Sequence, residues 1–214
     1  MPKYGKSGEE RLYTPGMIRL ATADDENDAS ACLAIYAPVV AGTAISFEME
    51  APTVEEMRRR MREKLPRYPW LVLAEPGGVL GYAHAGAFRP RPAYQWSVEV
   101  SVYVAAGARR TGAGRRLYTS LLALLRLQGF MSAFAGVALP NEASVGLHEA
   151  MGFQPVGVYR RAGFKFGRWI DVGWWQLQLR ELPDDLADDP APPLDLAAAM
   201  QHPGWAAALA SGGT

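Results

Sequence analysis

Cysteine is almost absent from this 214-residue chain. Cys32 stands alone, so no intrachain disulfide can form, and a reducing cytoplasm is the expected compartment. Neither sign of charge is in excess: 22 basic side chains balance 22 acidic ones. That balance argues against the strongly basic surface of a general nucleic-acid binder and favours a small ligand. Histidine is scarce too. His84, His148 and His202 lack ligand spacing and no cysteine pair exists, so no metal is expected. No Gly-Lys-Ser or Gly-Lys-Thr triplet occurs, which removes the nucleotide-hydrolysing phosphate loop. Residues 1–16 hold no continuous apolar stretch and read as a polar extension, neither signal peptide nor membrane anchor, with Met17 an alternative start.

What is present suffices for one sizeable core, since 49% of the residues are hydrophobic. Met17 to Ala21 reads as a strand and Asp24 to Val40 as a helix. Thr53-Val54-Glu55-Glu56 is a capping box opening a second helix, with Val54, Met57, Met61 and Leu65 on its apolar face and Arg58, Arg59, Arg60, Arg62 and Glu63 on the solvent side. Trp70–Glu75, Gly77-Gly78 and Val79–Phe88 predict a hairpin, and Trp96–Val104 adds a strand to give an antiparallel meander. A Leu-rich helix follows Gly112 and ends at Gly129. Then come a strand (Met131–Leu139), a short helix (Asn141–Met151) and two strands (Phe153–Tyr159 and Ile170–Leu179). The order predicts an α+β domain over 17–182 with a mixed sheet. Residues 183–214 form a Pro/Asp/Ala-rich tail: Pro183 to Pro193 reads as a linker, and Leu194 to Ala210 as a short helix.

The most informative stretch is Arg109-Arg110-Thr111-Gly112-Ala113-Gly114-Arg115, between a strand and a helix. Backbone N–H groups at a helix N-terminus have no partners within the helix and the dipole favours an anion, so a glycine turn there suits a phosphate. By themselves such glycines are equally compatible with a plain turn. A dinucleotide fingerprint fails, because Leu117 stands where a third glycine is required.

These residues and the element order resemble the GCN5-related N-acetyltransferase superfamily, whose signature is Arg or Gln, two residues, Gly, one residue, then Gly or Ala. The match is densest to its phosphinothricin N-acetyltransferase subfamily, through Tyr68-Pro69-Trp70-Leu71-Val72, Gly81-Tyr82-Ala83-His84-Ala85-Gly86, Glu99, Ser101-Val102-Tyr103-Val104, Leu139-Pro140-Asn141, His148 and Trp169-Ile170-Asp171-Val172. The resemblance implies the acyl-CoA N-acyltransferase fold, a mostly antiparallel central sheet flanked by helices. It also implies acetyl-CoA as co-substrate, a small amino-acid-like amine as acceptor, and a homodimer. Arg109 to Arg115 would then hold the pyrophosphate. Val102, Tyr103 and Val104 would run along the pantetheine arm, and Asn141 and Ser144 would complete the cofactor contacts.

Glu99 is a charge in the middle of an apolar strand, where burial raises a carboxylate pKa toward the range useful to a base. The resemblance makes it the catalytic base; the alternative is a carboxylate paired with a nearby Arg. His148 is the second catalytic candidate. Seven residues after Asn141, two helical turns on, it would share a face with it and look into the same cleft, although a lone helical His can equally be structural. A backbone N–H in Val102–Val104 is the expected oxyanion donor. Arg89, Arg91 and Tyr94, in a Pro-rich connection, suit an acceptor carboxylate or phosphinate, or are simply solvated. Phe47 and Glu48 lie in a segment resembling the family's acceptor loop, and Lys165 and Trp169 in a motif that by resemblance shapes the site or a dimer interface.

Two rivals remain at this level. One is acetylation of protein N-termini, lysine or other amines. The other is a non-catalytic acyl-CoA-binding regulatory module.

Overall fold

The computed structural model describes residues 16–24, 26–181 and 190–213. The extension up to residue 15 and the 182–189 part of the expected linker lie outside the described residues. Strand β1 (Met17–Leu20) leads into α1 (Glu26–Gly42), which continues through Pro38 to Gly42, two residues past the expected end. The Arg19 guanidinium grips the Asp28 carboxylate at 2.6 and 2.7 Å and ties the strand to the helix. Helix α2 (Val54–Lys64) starts where the capping box predicts, with Thr53 Oγ1 accepting from the Glu56 N–H at 3.1 Å and Met57 and Met61 buried.

The hairpin β2 (Trp70–Glu75) and β3 (Gly78–Ala87), then β4 (Ser97–Val104), form the expected antiparallel meander. Helix α3 (Ala113–Gln128) buries Leu117, Leu121, Leu124 and Leu125 completely and stops at Gly129, whose φ of 95° is left-handed. After β5 (Ser132–Leu139) come α4 (Glu142–Ala150), β6 (Gln154–Lys165) and β7 (Arg168–Gln178). The strands make one seven-stranded sheet, β1-β2-β3-β4-β5-β7-β6, in which β4 and β5 alone run parallel. Its two faces carry two cores. Ala83, Val98, Val100, Ala133 and Val137 pack on α3, while Trp70, Val72 and Tyr82 pack on α1 and α2. Cys32 lies in the second core, and burial pushes its thiol up to about 12.

Two stretches depart from expectation. β6 extends to Lys165, past the expected Tyr159; it is an edge strand exposed from 154 to 162 that prints no alternation there, and it bulges between Tyr159 and Gly163. Asp171 fastens that bulge, accepting the Arg161 N–H and an Arg160 guanidinium N–H at 2.8 Å each. The C-terminal stretch is two helices, α5 (Leu196–Met200) and α6 (Trp205–Ala210), separated at Pro203-Gly204. Both dock on α3. Gln128 Nε2 donates to Leu194 O at 3.0 Å, Ser120 Oγ to Leu209 O at 2.6 Å, and Arg116 Nε to Gly212 O at 2.9 Å. Among the described residues no helix is long and apolar enough to cross a membrane.

Candidate active site

The sheet opens at Glu99. β4 pairs with β5 only from Ser97↔Ser132 to Glu99↔Phe134. Beyond that point β4 continues against β3 as far as Val104↔Gly81, and β5 against β7 as far as Leu139↔Asp171. Among the described residues, the edge of β4 from Val100 to Val104 that faces β5 therefore has no strand against it. Its backbone groups are available to an extended molecule inserted between the strands. Val102 and Val104 turn their side chains toward the α3 core, whereas the Tyr103 ring lies on the opposite face, 4.9 Å from Tyr36 and 5.3 Å from Tyr82. Tyr103 thus offers the opening its backbone, not its ring.

At the far end of β4 the chain passes Arg109, Arg110 and Thr111, all exposed, and enters α3 through Gly112. Gly112 is left-handed, φ 89°, and Arg110 shares that region at φ 65°; no side chain caps the helix. The first-turn N–H groups, including those of Ala113, Gly114 and Arg115, are left for a ligand. Gly114 is needed for a different reason: a Cβ there would stand 3.2 Å from Leu147 Cδ2 and 3.6 Å from Val104 Cγ2. The loop and the open strand edge together fit a molecule with a pyrophosphate at one end and an extended amide-bearing arm.

On the other face, alternation along β4 brings Glu99, Ser101 and Tyr103 to one side. Ser101 and Tyr103 line a cavity of about 200 Å³ with Tyr36, Glu48, Arg60, Lys64 and His84. Glu99 is half-buried, and among the described residues its carboxylate makes no hydrogen bond or ion pair. Burial raises its carboxyl above the ordinary range, with Arg89 and Lys64 opposing the shift. The alternative of a carboxylate locked to an arginine is therefore not what the structure shows.

Glu48 is locked. Its carboxylate accepts Arg60 at 2.7 and 3.1 Å and the Tyr36 hydroxyl at 2.8 Å. Burial would raise it, but these partners outweigh burial and hold it below the usual range. Arg60 is thus not merely part of a solvated face: it bridges α2 to the Thr43–Glu48 segment. Lys165 secures the same segment from beneath, its buried ammonium donating to Val40 O at 2.7 Å and Ser46 O at 2.8 Å. Phe47 lies against Gly163 of β6. Trp169 is exposed.

Arg89 leans over the Phe88 ring at 4.2 Å and the Trp174 ring at 5.3 Å, and Phe88 in turn stacks on Phe134 at 4.0 Å. Tyr94 meets Phe88 edge-on at 5.8 Å. Arg91 is exposed, at the start of a short 3-10 turn spanning Pro92–Tyr94. Arg89 and Tyr94 therefore belong to one aromatic wall, beside Glu99 through its register partner Phe134.

Asn141 and His148 do not share a cleft. Asn141 caps α4, its Oδ1 accepting the Ser144 N–H at 3.2 Å. His148 is only 4% exposed and faces α3. Its Nδ1 lies 2.7 Å from Ser144 O and its Nε2 3.0 Å from Tyr118 Oη. Burial lowers its pKa, so the ring is neutral near pH 7. A carbonyl only accepts, so Nδ1 carries the proton, and Nε2 then accepts from the Tyr118 hydroxyl. The seven-residue spacing from Asn141 does not reveal that α3 fills the space opposite His148.

Sequence reasoning did not single out Lys64, Arg60 or Tyr36. The available signal was Arg60 and Lys64 at i, i+4, bordering the buried Met57 and Met61 stripe.

A seven-stranded sheet that splays between two parallel strands, above an uncapped glycine-entered helix, defines an acyl-CoA-dependent N-acyltransferase scaffold. The acetyltransferase (GNAT) domain family matches residues 18–174, and the chain belongs to that family. It is 43% identical over 169 residues to the phosphinothricin N-acetyltransferase of Streptomyces viridochromogenes, covering 79% of this chain and 90% of the relative. It is 37% identical to a methionine sulfoximine/methionine sulfone acetyltransferase of Pseudomonas aeruginosa, over 71% and 90% of the two chains. Among solved structures, a putative acetyltransferase from Salmonella typhimurium with its cofactor acetyl-CoA superposes with TM-score 0.75 at 34% identity, covering 82% of this chain and 100% of the other. A phosphinothricin acetyltransferase from Sinorhizobium meliloti in complex with AcCoA gives 0.73 at 32% identity, covering 83% and 94%.

Proposed function

We propose that this protein transfers the acetyl group of acetyl-CoA directly to the amine of a small amino-acid-like acceptor of phosphinothricin, methionine sulfoximine or methionine sulfone type. The observation that carries the proposal is the position of Glu99, a half-buried, unpaired carboxylate at the point where β4 and β5 part. The cofactor opening lies past it and the polar cavity on its own face. When bound, acetyl-CoA supplies an electrophilic thioester carbonyl. Residues Arg109 to Arg115 bind the pyrophosphate through exposed N–H groups and guanidinium charge. The open edge of β4 from Val102 to Val104 orients the pantetheine arm, and a backbone N–H there stabilises charge developing on the carbonyl oxygen. Asn141 and Ser144 border this arm. Glu99, its carboxyl raised by burial with Arg89 and Lys64 opposing the shift, takes the proton that must leave the acceptor ammonium before the amine can attack. Arg89, Arg91, Tyr94, Phe47 and Glu48 frame the acceptor. We assign His148 a positioning role: it locks α4 to α3 behind the cofactor loop.

The exposed apolar side chains of β6 and its turn, Val156, Val158, Tyr159, Phe164 and Phe166, favour burial against a second copy of the chain as a homodimer. The reduced buried Cys32 suits the cytoplasm. We take 17–182 as the catalytic domain, residues 1–16 as an extension and residues 183–214 as an appendage.

Release of CoA thiol from acetyl-CoA, measured in parallel with the three named acceptors, ordinary amino acids, a polyamine and a lysine peptide, tests the reading. Saturable turnover confined to the amino-acid analogues is expected. Turnover with peptide or polyamine alone would overturn the acceptor class, and binding of acetyl-CoA with no turnover would favour a regulatory module.

A further inference from the structure

The cavity beside Glu99 contains one cation that, among the described residues, is held by no ion pair and feels only the neighbouring Glu99 as an opposite charge. Arg60 is held by Glu48 and Glu56. His84, stacked on Trp70 at 4.3 Å, is neutral, because burial lowers its pKa well below 6.5. Lys64 is different: it is half-buried and, among the described residues, makes no ion pair. Its ammonium reaches over β3 at Gly86, where a Cβ would stand 2.7 Å from Nζ. Gly86 is the register partner of Glu99, so the missing side chain is what lets this charge lie beside the base. The sheet order then fixes a geometry. Lys64 approaches Glu99 from the β3 side, and the Arg89 guanidinium, over Trp174 of β7, from the other. An acceptor whose amine reaches Glu99 has a cation on each flank.

We propose that Lys64 is a specificity-determining residue that binds a second negative charge on the acceptor, so that the site prefers dianionic amino acids, bearing a carboxylate and a distal phosphinate or carboxylate, over acceptors whose distal group is neutral. The proposal rests on the acetyltransferase reading above and deepens it. An anion interacts more strongly with an ammonium partly withdrawn from water than with one on the surface, and a neutral sulfone offers it only a dipole.

The test compares kcat/KM for phosphinothricin and methionine sulfone in the wild type, Lys64→Met, Lys64→Arg and Gly86→Ala. The ratio of the two cancels any influence of Lys64 on Glu99, which both acceptors share. Lys64→Met is expected to cut the ratio about tenfold, the equivalent of one charge-assisted contact, while Lys64→Arg retains most of it. Gly86→Ala keeps the lysine but crowds the ammonium out of place, and should shift the ratio in the same direction; it serves if Lys64→Met folds poorly. A ratio within about twofold of wild type in both Lys64→Met and Gly86→Ala, against the tenfold of a lost contact, overturns the assignment while the acetyltransferase reading survives. Failure of the wild type to acetylate either compound overturns both.

Discussion

Removing the Tyr118 hydroxyl separates a structural His148 from a catalytic one. In Tyr118→Phe the buried Nε2 of His148 loses the donor that now stands 3.0 Å away, while Nδ1 remains committed to Ser144 O at 2.7 Å. Tyr118 is fully buried, so water does not replace the lost donor without rearrangement. An unsatisfied buried acceptor costs about 1–3 kcal/mol. For a domain of this size each kcal/mol lowers Tm by about 2–4 °C, so the variant should melt about 2–12 °C below the wild type by scanning calorimetry. The aromatic contacts persist, since Phe occupies the same volume beside Phe153, 6.2 Å away between ring centroids. With acetyl-CoA saturating, kcat should stay within about threefold of wild type, far from the 10²-fold or greater loss typical of a deleted general acid or base. An unchanged Tm together with a hundredfold fall in kcat would refute the positioning role and place His148 in proton transfer.

Glu99→Gln should reduce kcat about 10²- to 10⁴-fold while acetyl-CoA affinity, read by calorimetric titration, is retained; full activity would dismiss Glu99 as the base. The acid limb of the wild-type kcat/KM profile should fall above the ordinary 4.5 of a glutamate, because burial raises the group, and should vanish in the variant. Gly112→Ala forces a side chain into φ 89° and should cost about 1–2 kcal/mol locally, raising KM for acetyl-CoA more than it lowers kcat; an unchanged KM would remove Gly112 from the anion site. Stability should decline as pH drops. His84 and His148 are both held neutral in the fold, below their ordinary 6.5, so their contribution is complete above that value and is lost as pH falls through their folded pKa values. A Tm flat from pH 7 to pH 5 would contradict this.

The parts of the fold that were legible are those whose pattern is local. The Thr53 cap, the Leu117–Leu125 stripe and the β2–β3 hairpin each write their structure within a few residues, although the hairpin turns at Pro76-Gly77, one residue before the expected Gly77-Gly78. The far half of β6 was not legible, because an edge strand with every residue from 154 to 162 exposed has no alternation to display. At the candidate site, the partial burial of Glu99 was legible from its place in an apolar strand, and the glycine entry into α3 from its context. The Lys64 flank was not, because it depends on α2 crossing over Gly86, a contact between segments that no periodicity within either reveals. The burial of His148 has the same origin: that Tyr118 of α3 fills the space opposite it depends on packing between two helices, not on spacing within α4.

The docking of the C-terminal helices has a consequence for chain connectivity. Arg116 donates to Gly212 O and to Gly16 O, so a single guanidinium on α3 gathers both ends of the described chain to one point. Neighbouring ends lend themselves to rearranged order along the chain. A circular permutant that joins residue 212 to residue 16 through a short Gly-Ser bridge, and opens instead at the Pro76-Gly77 tip between β2 and β3, would preserve the strand pairing of the sheet. The new ends would emerge at a hairpin turn whose Gly77 has open space around it. Both the Arg109–Arg115 loop and the Glu99 cleft would then lie within uninterrupted chain.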